Sequence, residues 1–156
     1  MKKRIAALLL VLCLLPLSAC GGRPAEEGED VVHVLATTYP VYLFTTAVAQ
    51  GVDGVEVNLL VSQQTSCLHD YTLTVKDMKA IERADVILIN GGGLEDFLAD
   101  ALDTSDAPVI DCSAGIELLP ALGHEGHDHD TECDPHFWMT YENAACMLAN
   151  IAQGLG

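Results

Sequence analysis

This 156-residue sequence predicts an α/β fold, an open parallel four-stranded sheet with flanking helices. Two observations carry that expectation. The β-branched runs are apolar at consecutive positions, as strands covered on both faces must be. Those runs alternate with segments of helical period, the order in which right-handed crossovers join parallel strands. There is no internal repeat, and the length suits one domain once a leader is removed.

Taken in order, Val31 to Ala36 is a short apolar run that predicts the first strand. Thr38 or Tyr39 caps a helix with Pro40 in its first turn, running through Tyr42, Phe44, Ala47 and Val48 to a stop at Gly51. Val55 to Val61 alternates and then turns fully apolar, giving a second strand, and a polar loop from Ser62 to Tyr71 follows. Thr74 opens a second helix, with Asp77 three residues on as a short capping-box partner. Val75, Met78, Ala80 and Ile81 are expected on its inner face. Asp85 to Asn90 is the cleanest strand and ends in Gly91-Gly92-Gly93, which reads as a tight strand-to-helix turn. The triplet belongs to no GxGxxG or GxxxxGK[ST] pattern and has no lysine near it. Leu94 to Leu102 predicts a helix with Leu94, Phe97, Leu98 and Leu102 on one face. Pro108 to Asp111 is a fourth strand, and after a long loop Thr140 caps a last helix, Tyr141 to Gln153.

The amino terminus is a leader. Met1 to Arg4 is cationic, Ile5 to Leu17 is apolar but short for a membrane span, and Leu17-Ser18-Ala19-Cys20 resembles a bacterial lipobox. Cys20 is thus the expected lipid anchor, with residues 1–19 removed and residues 20–30 a flexible acidic tether. Loss of the three leading cations leaves four Lys and Arg against 23 Asp and Glu, a net charge of about −19. Such a surface repels nucleic acid and anionic headgroups and attracts cations, so membrane attachment has to be covalent. Beyond Cys13 and Cys20, the remaining cysteines are Cys67, Cys112, Cys133 and Cys146. They allow three disulfide pairings and contain no CxxC motif, which disfavours a thiol oxidoreductase or a zinc knuckle.

His124 to Met139 is the stretch with the richest chemistry. Its first half interleaves His124, His127 and His129 with Glu125, Asp128 and Asp130 and has nothing to pack, so it reads as a loop that collects metal ions loosely. Its second half, Asp134-Pro135-His136-Phe137-Trp138-Met139, holds one histidine between a rigid turn and bulky anchors, the setting of a preorganised ligand. His69, in the loop after the second strand, is the other candidate. Ligands of open parallel sheets bind outside the carboxyl ends of the strands, which places His69 and His136 on one edge. His33, inside a strand, reads as a satisfied structural histidine, and Thr37, Ser66 and Ser113 lack any nucleophile context.

The lipobox, Ala36-Thr37-Thr38-Tyr39-Pro40, Leu68-His69-Asp70-Tyr71 with the Lys76-Asp77 helix, Ala84 through Glu95, the His-rich loop and Asp134 through Met139 occur in one order. That ordered set resembles the high-affinity zinc/manganese solute-binding lipoproteins of ABC transporters (cluster A-I). The resemblance implies that residues 31–139 form the N-terminal lobe of a two-lobed receptor and that 140–156 begin the linking helix. It implies His69 and His136 as that lobe's two metal ligands, and a His-rich loop gathering zinc at the rim. One departure is Thr65-Ser66-Cys67-Leu68-His69, where the family has Gly-x-x-Pro-His. The sequence ends at Gly156, so the second lobe, which in the family supplies another histidine and a carboxylate, is expected to be missing.

The expected function is extracytoplasmic, lipid-anchored capture of Zn2+, with Mn2+ second, for an ABC permease in the membrane, with no reaction catalysed. Imidazole favours zinc, whereas manganese leans to carboxylate oxygens. A stand-alone surface metal buffer working through the His/Asp loop is the alternative.

Overall fold

A computed structural model describes residues 31–62, 68, 71–120 and 133–156. Four parallel strands form one sheet: β1 (Val32–Ala36), β2 (Val55–Leu59), β3 (Val86–Ile89) and β4 (Val109–Asp111), in the order β2-β1-β3-β4. Ala36 pairs with Leu59 on one side and Leu88 on the other, so the carboxyl ends of the three longer strands finish level. Beyond β2 the ladder continues into the loop, where the Leu60 and Val61 amides donate to the Ala36 and Thr37 carbonyls at 2.9 and 3.2 Å.

Alternation along the strands divides the core. Val34, Ala36, Val86 and Leu88 face one side, where they pack with Val41, Cys112, Phe137, Met147 and Ile151. Leu35 and Ile87 face the other, against Leu60, Val61, Ile81, Leu98 and Ala101. β2 lies on the edge and is apolar on one side only: Val55 and Val57 pack inward while Glu56 and Asn58 are exposed. Its reading as an alternating strand follows from that position.

The first side is covered by α1 (Tyr39–Val48) and α4 (Tyr141–Leu155). Thr38 takes the N-cap position of α1 but makes no side-chain cap bond; Pro40 in the first turn fixes the entry instead. Thr140 does cap α4, accepting from the Asn143 amide at 3.3 Å. Met147 and Ile151 of α4 are fully buried.

On the second side lies α2 (Val75–Arg83), which corrects one expectation. Val75 and Met78 are exposed, and the buried residues are Asp77 and Ile81, with Ala80 half-buried. The capping box turns this face inward. The Asp77 amide donates to Thr74 Oγ1 at 3.3 Å, while Asp77 Oδ2 accepts from the Thr74 amide at 2.8 Å and the Tyr71 hydroxyl at 2.9 Å. Burial works against the Asp77 charge, but these bonds, with a smaller influence from Lys76, hold its carboxyl below the usual range.

The segment expected as one helix from Leu94 to Leu102 is a 3-10 turn, Asp96–Leu98, followed by a short α3, Ala99–Asp103. Leu94 and Leu98 are buried as expected, with Phe97 and Leu102 half-buried. The three glycines before it all have positive φ, 82°, 65° and 81°, a path that side chains rarely follow. A Cβ at Gly91 would overlap the Asp111 carboxylate and the Ser113 hydroxyl. The tight turn is therefore glycine's doing on two counts, conformation and space.

Candidate metal centre

At the carboxyl rim of β1 and β3 the chain buries a carboxylate. Glu95, 5% exposed, accepts at Oε1 from the Thr37 hydroxyl (2.6 Å) and the Asn90 amide (2.7 Å), and at Oε2 from the Gly91 amide (3.0 Å). Burial pushes its carboxyl above the usual range; the three donors pull it down, and the nearby Asp111 charge pushes it up again. The carboxylate thus ties the loop after β1 to the glycine turn after β3.

That turn carries the histidine loop. The Asn90 side-chain amide donates to the Gly91 carbonyl at 3.0 Å and to the Pro135 carbonyl at 3.1 Å. A Cβ on Gly92 would lie 3.5 Å from Phe137 and 3.6 Å from Pro135, so the two segments are in close contact. Asn90 Oδ1 and Thr38 Oγ1 are buried with no hydrogen-bond partner among the described residues. Each lies two positions past the Ala36–Leu88 pair, at the carboxyl ends of β1 and β3.

His136 stands above this floor. Its backbone amide donates to Asp134 Oδ1 at 3.0 Å, and its Nδ1 lies 2.7 Å from the same oxygen. A carboxylate only accepts, so it fixes the proton of the neutral ring on Nδ1 and leaves the Nε2 lone pair outward. This is the carboxylate–imidazole arrangement that orients metal-binding histidines. The ring is about half exposed and tilted against Trp138, with centroids 5.2 Å apart, while Phe137 is buried in the core below. Pro135 and the two aromatics therefore do anchor the histidine.

The other candidates fall differently. His69, His124, His127, His129, Asp128, Asp130, Cys20 and Cys67 lie outside the described residues. On either side of His69, the Tyr71 amide donates to the Leu68 carbonyl at 3.0 Å, and both side chains pack on the second core cluster. The ends of the His-rich segment meet: Pro120 and Cys133 form an antiparallel bridge, and the Asp134 amide donates to the Leu119 carbonyl at 2.7 Å. Among the described residues, no three His, Cys, Asp or Glu side chains converge on a point that could hold a metal ion. Cys112, Cys133 and Cys146 are free thiols. Burial, aided by the charges of Glu95 and Asp111, pushes the Cys112 thiol up to about 12, so it is a packed apolar residue rather than a soft ligand. His33 is satisfied as expected, its Nδ1 3.4 Å from Glu56.

Glu95, Asn90 and Asp134 were not singled out from the sequence. A glutamate just after a glycine turn and an aspartate two residues before the histidine were the available signals.

The fold is that of metal-binding receptor proteins to which this chain is structurally similar. The chain belongs to the family described as zinc-uptake complex component A, periplasmic, which it matches over residues 34–156. It is 32% identical, over 165 aligned positions, to the zinc-binding lipoprotein AdcA of Streptococcus pneumoniae, covering 98% of this chain and 32% of that protein. It is 30% identical to the high-affinity zinc uptake system protein ZnuA of Bacillus subtilis, covering 96% of this chain and 50% of that one. The chain therefore spans a third to a half of these relatives' length. Among solved structures, the Mn-bound periplasmic metal-binding protein of Candidatus Liberibacter asiaticus superposes with a TM-score of 0.68 at 28% identity, covering 80% of this chain and 44% of that one. Zn(II)-bound AdcA superposes with a TM-score of 0.66 at 29% identity, over 80% and 26%.

Proposed function

We propose that this chain captures Zn2+ outside the cytoplasm, held at the membrane by a lipid on Cys20, and hands it to an ABC permease. His136 and His69 are the ligands of this lobe, and His124, His127, His129, Asp128 and Asp130 collect metal at the rim. The observation that carries the reading is the 2.7 Å approach of His136 Nδ1 to Asp134, which leaves Nε2 free to ligate. The work is capture and release, with water filling the positions that two histidines leave open, and no bond of the cargo is made or broken beyond coordination. Mn2+ is the weaker cargo, because imidazole nitrogen suits zinc better. Family membership and the zinc-binding relatives support the same reading.

Calorimetric titration of the wild type, His136→Ala and a deletion of His124 to Asp130 tests it. His136→Ala is expected to abolish the tightest zinc site, and the deletion to remove only weak additional equivalents. Binding is expected to weaken as pH falls, because only the neutral ring ligates. If the deletion loses the tightest site and His136→Ala keeps it, the protein is a surface metal buffer instead. Cys20→Ala is expected to move the protein from the membrane fraction to the soluble one; retention after a high-salt wash rejects the anchor.

A further inference from the structure

Residues 31–156 hold 19 Asp and Glu against three Lys and Arg. All three cations, Lys76, Lys79 and Arg83, are on α2 at i, i+3 and i+7, a single stripe of the helix. They line one cleft of about 540 Å³, whose opposite wall is His33, Val34 and Leu35 of β1 with Glu56 and Asn58 of β2.

None of the three forms an ion pair among the described residues, where the ion pairs are those of His33 with Glu56 and His136 with Asp134. Lys76 exerts the weakest of the influences on the Asp77 carboxyl and forms no ion pair with it. Among the described residues the carboxylate lining the cleft is Glu56, which is engaged by His33 at 3.4 Å and by the Asn58 side-chain amide at 3.1 Å. Three cations with no ion-pair partner among the described residues are thus gathered at one cleft of a strongly negative body.

We infer that this cleft docks an extended acidic peptide segment of a partner protein. Spacing selects a peptide over a small oxyanion. Lys76 and Arg83 are seven helical positions apart, about 10 Å along the axis at 1.5 Å per residue, more than one phosphate group can bridge. Carboxylates on alternate residues of an extended chain recur every ~6.7 Å, so two or three of them span the stripe. The cleft also opens beside β2, the edge strand of the sheet, where an extended segment can lie along unpaired backbone. The net charge of the lobe repels anionic membranes and nucleic acid as whole surfaces, whereas a short acidic segment brings few charges with it.

The test is a nuclear magnetic resonance titration of the isotope-labelled full chain at low salt. The probe is a short peptide of alternating Asp and Ser, with a Lys and Ser peptide as control. Shifts are expected at residues 33–35, 56–59 and 75–83 with the acidic peptide only, and added salt should weaken them. The charge reversal Lys76→Glu, Lys79→Glu, Arg83→Glu is expected to lower affinity at least about tenfold, three exposed ion pairs being lost. The charge-preserving set Lys76→Arg, Lys79→Arg, Arg83→Lys should retain it. Should the reversal variant not fold, Lys79→Gln alone is expected to give a smaller loss in the same direction. Equal shifts with inorganic phosphate, binding of phosphatidylglycerol vesicles without peptide binding, or unchanged affinity in these variants would overturn the inference.

Discussion

Asp134 and Glu95 are carboxylates on the same rim with opposite surroundings. Asp134 is half exposed and holds a histidine, whereas Glu95 is buried and holds backbone. Under the proposed function, Asp134→Ala should weaken zinc binding by roughly 10- to 100-fold by freeing the His136 ring, without unfolding the lobe. Titration calorimetry alongside His136→Ala reads that difference. At Glu95 the effect falls on stability. Glu95→Gln puts an amide donor against the Gly91 amide and should cost about 1–3 kcal/mol. Because the folded carboxyl titrates above its ordinary 4.5, its linkage contribution is complete below that pH and is lost as pH rises through the folded value. The stability difference between wild type and variant should therefore shrink as pH rises, which urea unfolding across the mildly acidic to neutral range would show. Cys112 offers a simpler check. With its thiol pushed up to about 12, it should resist alkylation at mildly alkaline pH while the half-buried Cys133 and Cys146 react. The anchored setting of His136 was legible in the sequence because proline and bulky apolar neighbours announce a fixed side chain. Glu95 was not, since a glutamate opening a helix is ordinarily a solvated one.

At the scale of elements, strand positions and the helix caps Thr74 and Thr140 were legible, and helix faces less so. Val75, Met78 and Ala80 look like an apolar stripe beside Ile81, but the bonds from Thr74 and Tyr71 to Asp77 rotate the helix and bury an acid. Composition cannot express such a rotation, because it is decided by one carboxylate's partners. Asp77→Ala is expected to destabilise the fold by about 1–2 kcal/mol through loss of the capping box. The sign of its pH dependence is opposite to that of Glu95. A depressed carboxyl contributes above its unfolded value of 3.8 and loses the contribution as pH falls through its folded one. The gap between wild type and Asp77→Ala should accordingly narrow only in strong acid, as thermal melts would record. The expected nine-residue helix after the glycine turn failed for a related reason. Glu95 bends back to the Asn90 and Gly91 amides, and the chain leaves that turn as 3-10 before it can settle into α3.

At the scale of the molecule, parallel order and level carboxyl ends bring the loops after every strand to one rim, and that much follows from the run of apolar strands and helices. What no sequence pattern conveys is how the rim is braced, since Thr37, Asn90, Glu95 and Pro135 come from three separate loops. The bridge between Pro120 and Cys133 has a consequence of its own for how such proteins can diverge. It brings the two ends of the His-rich segment together, Pro120 against Cys133, with twelve residues of sequence between them. Doubling a closed loop costs only about 0.6 kcal/mol in closure entropy. With the ends held in this way, and under the proposed function, histidines added or deleted between them should change the metal capacity of the rim at little expense in closure entropy.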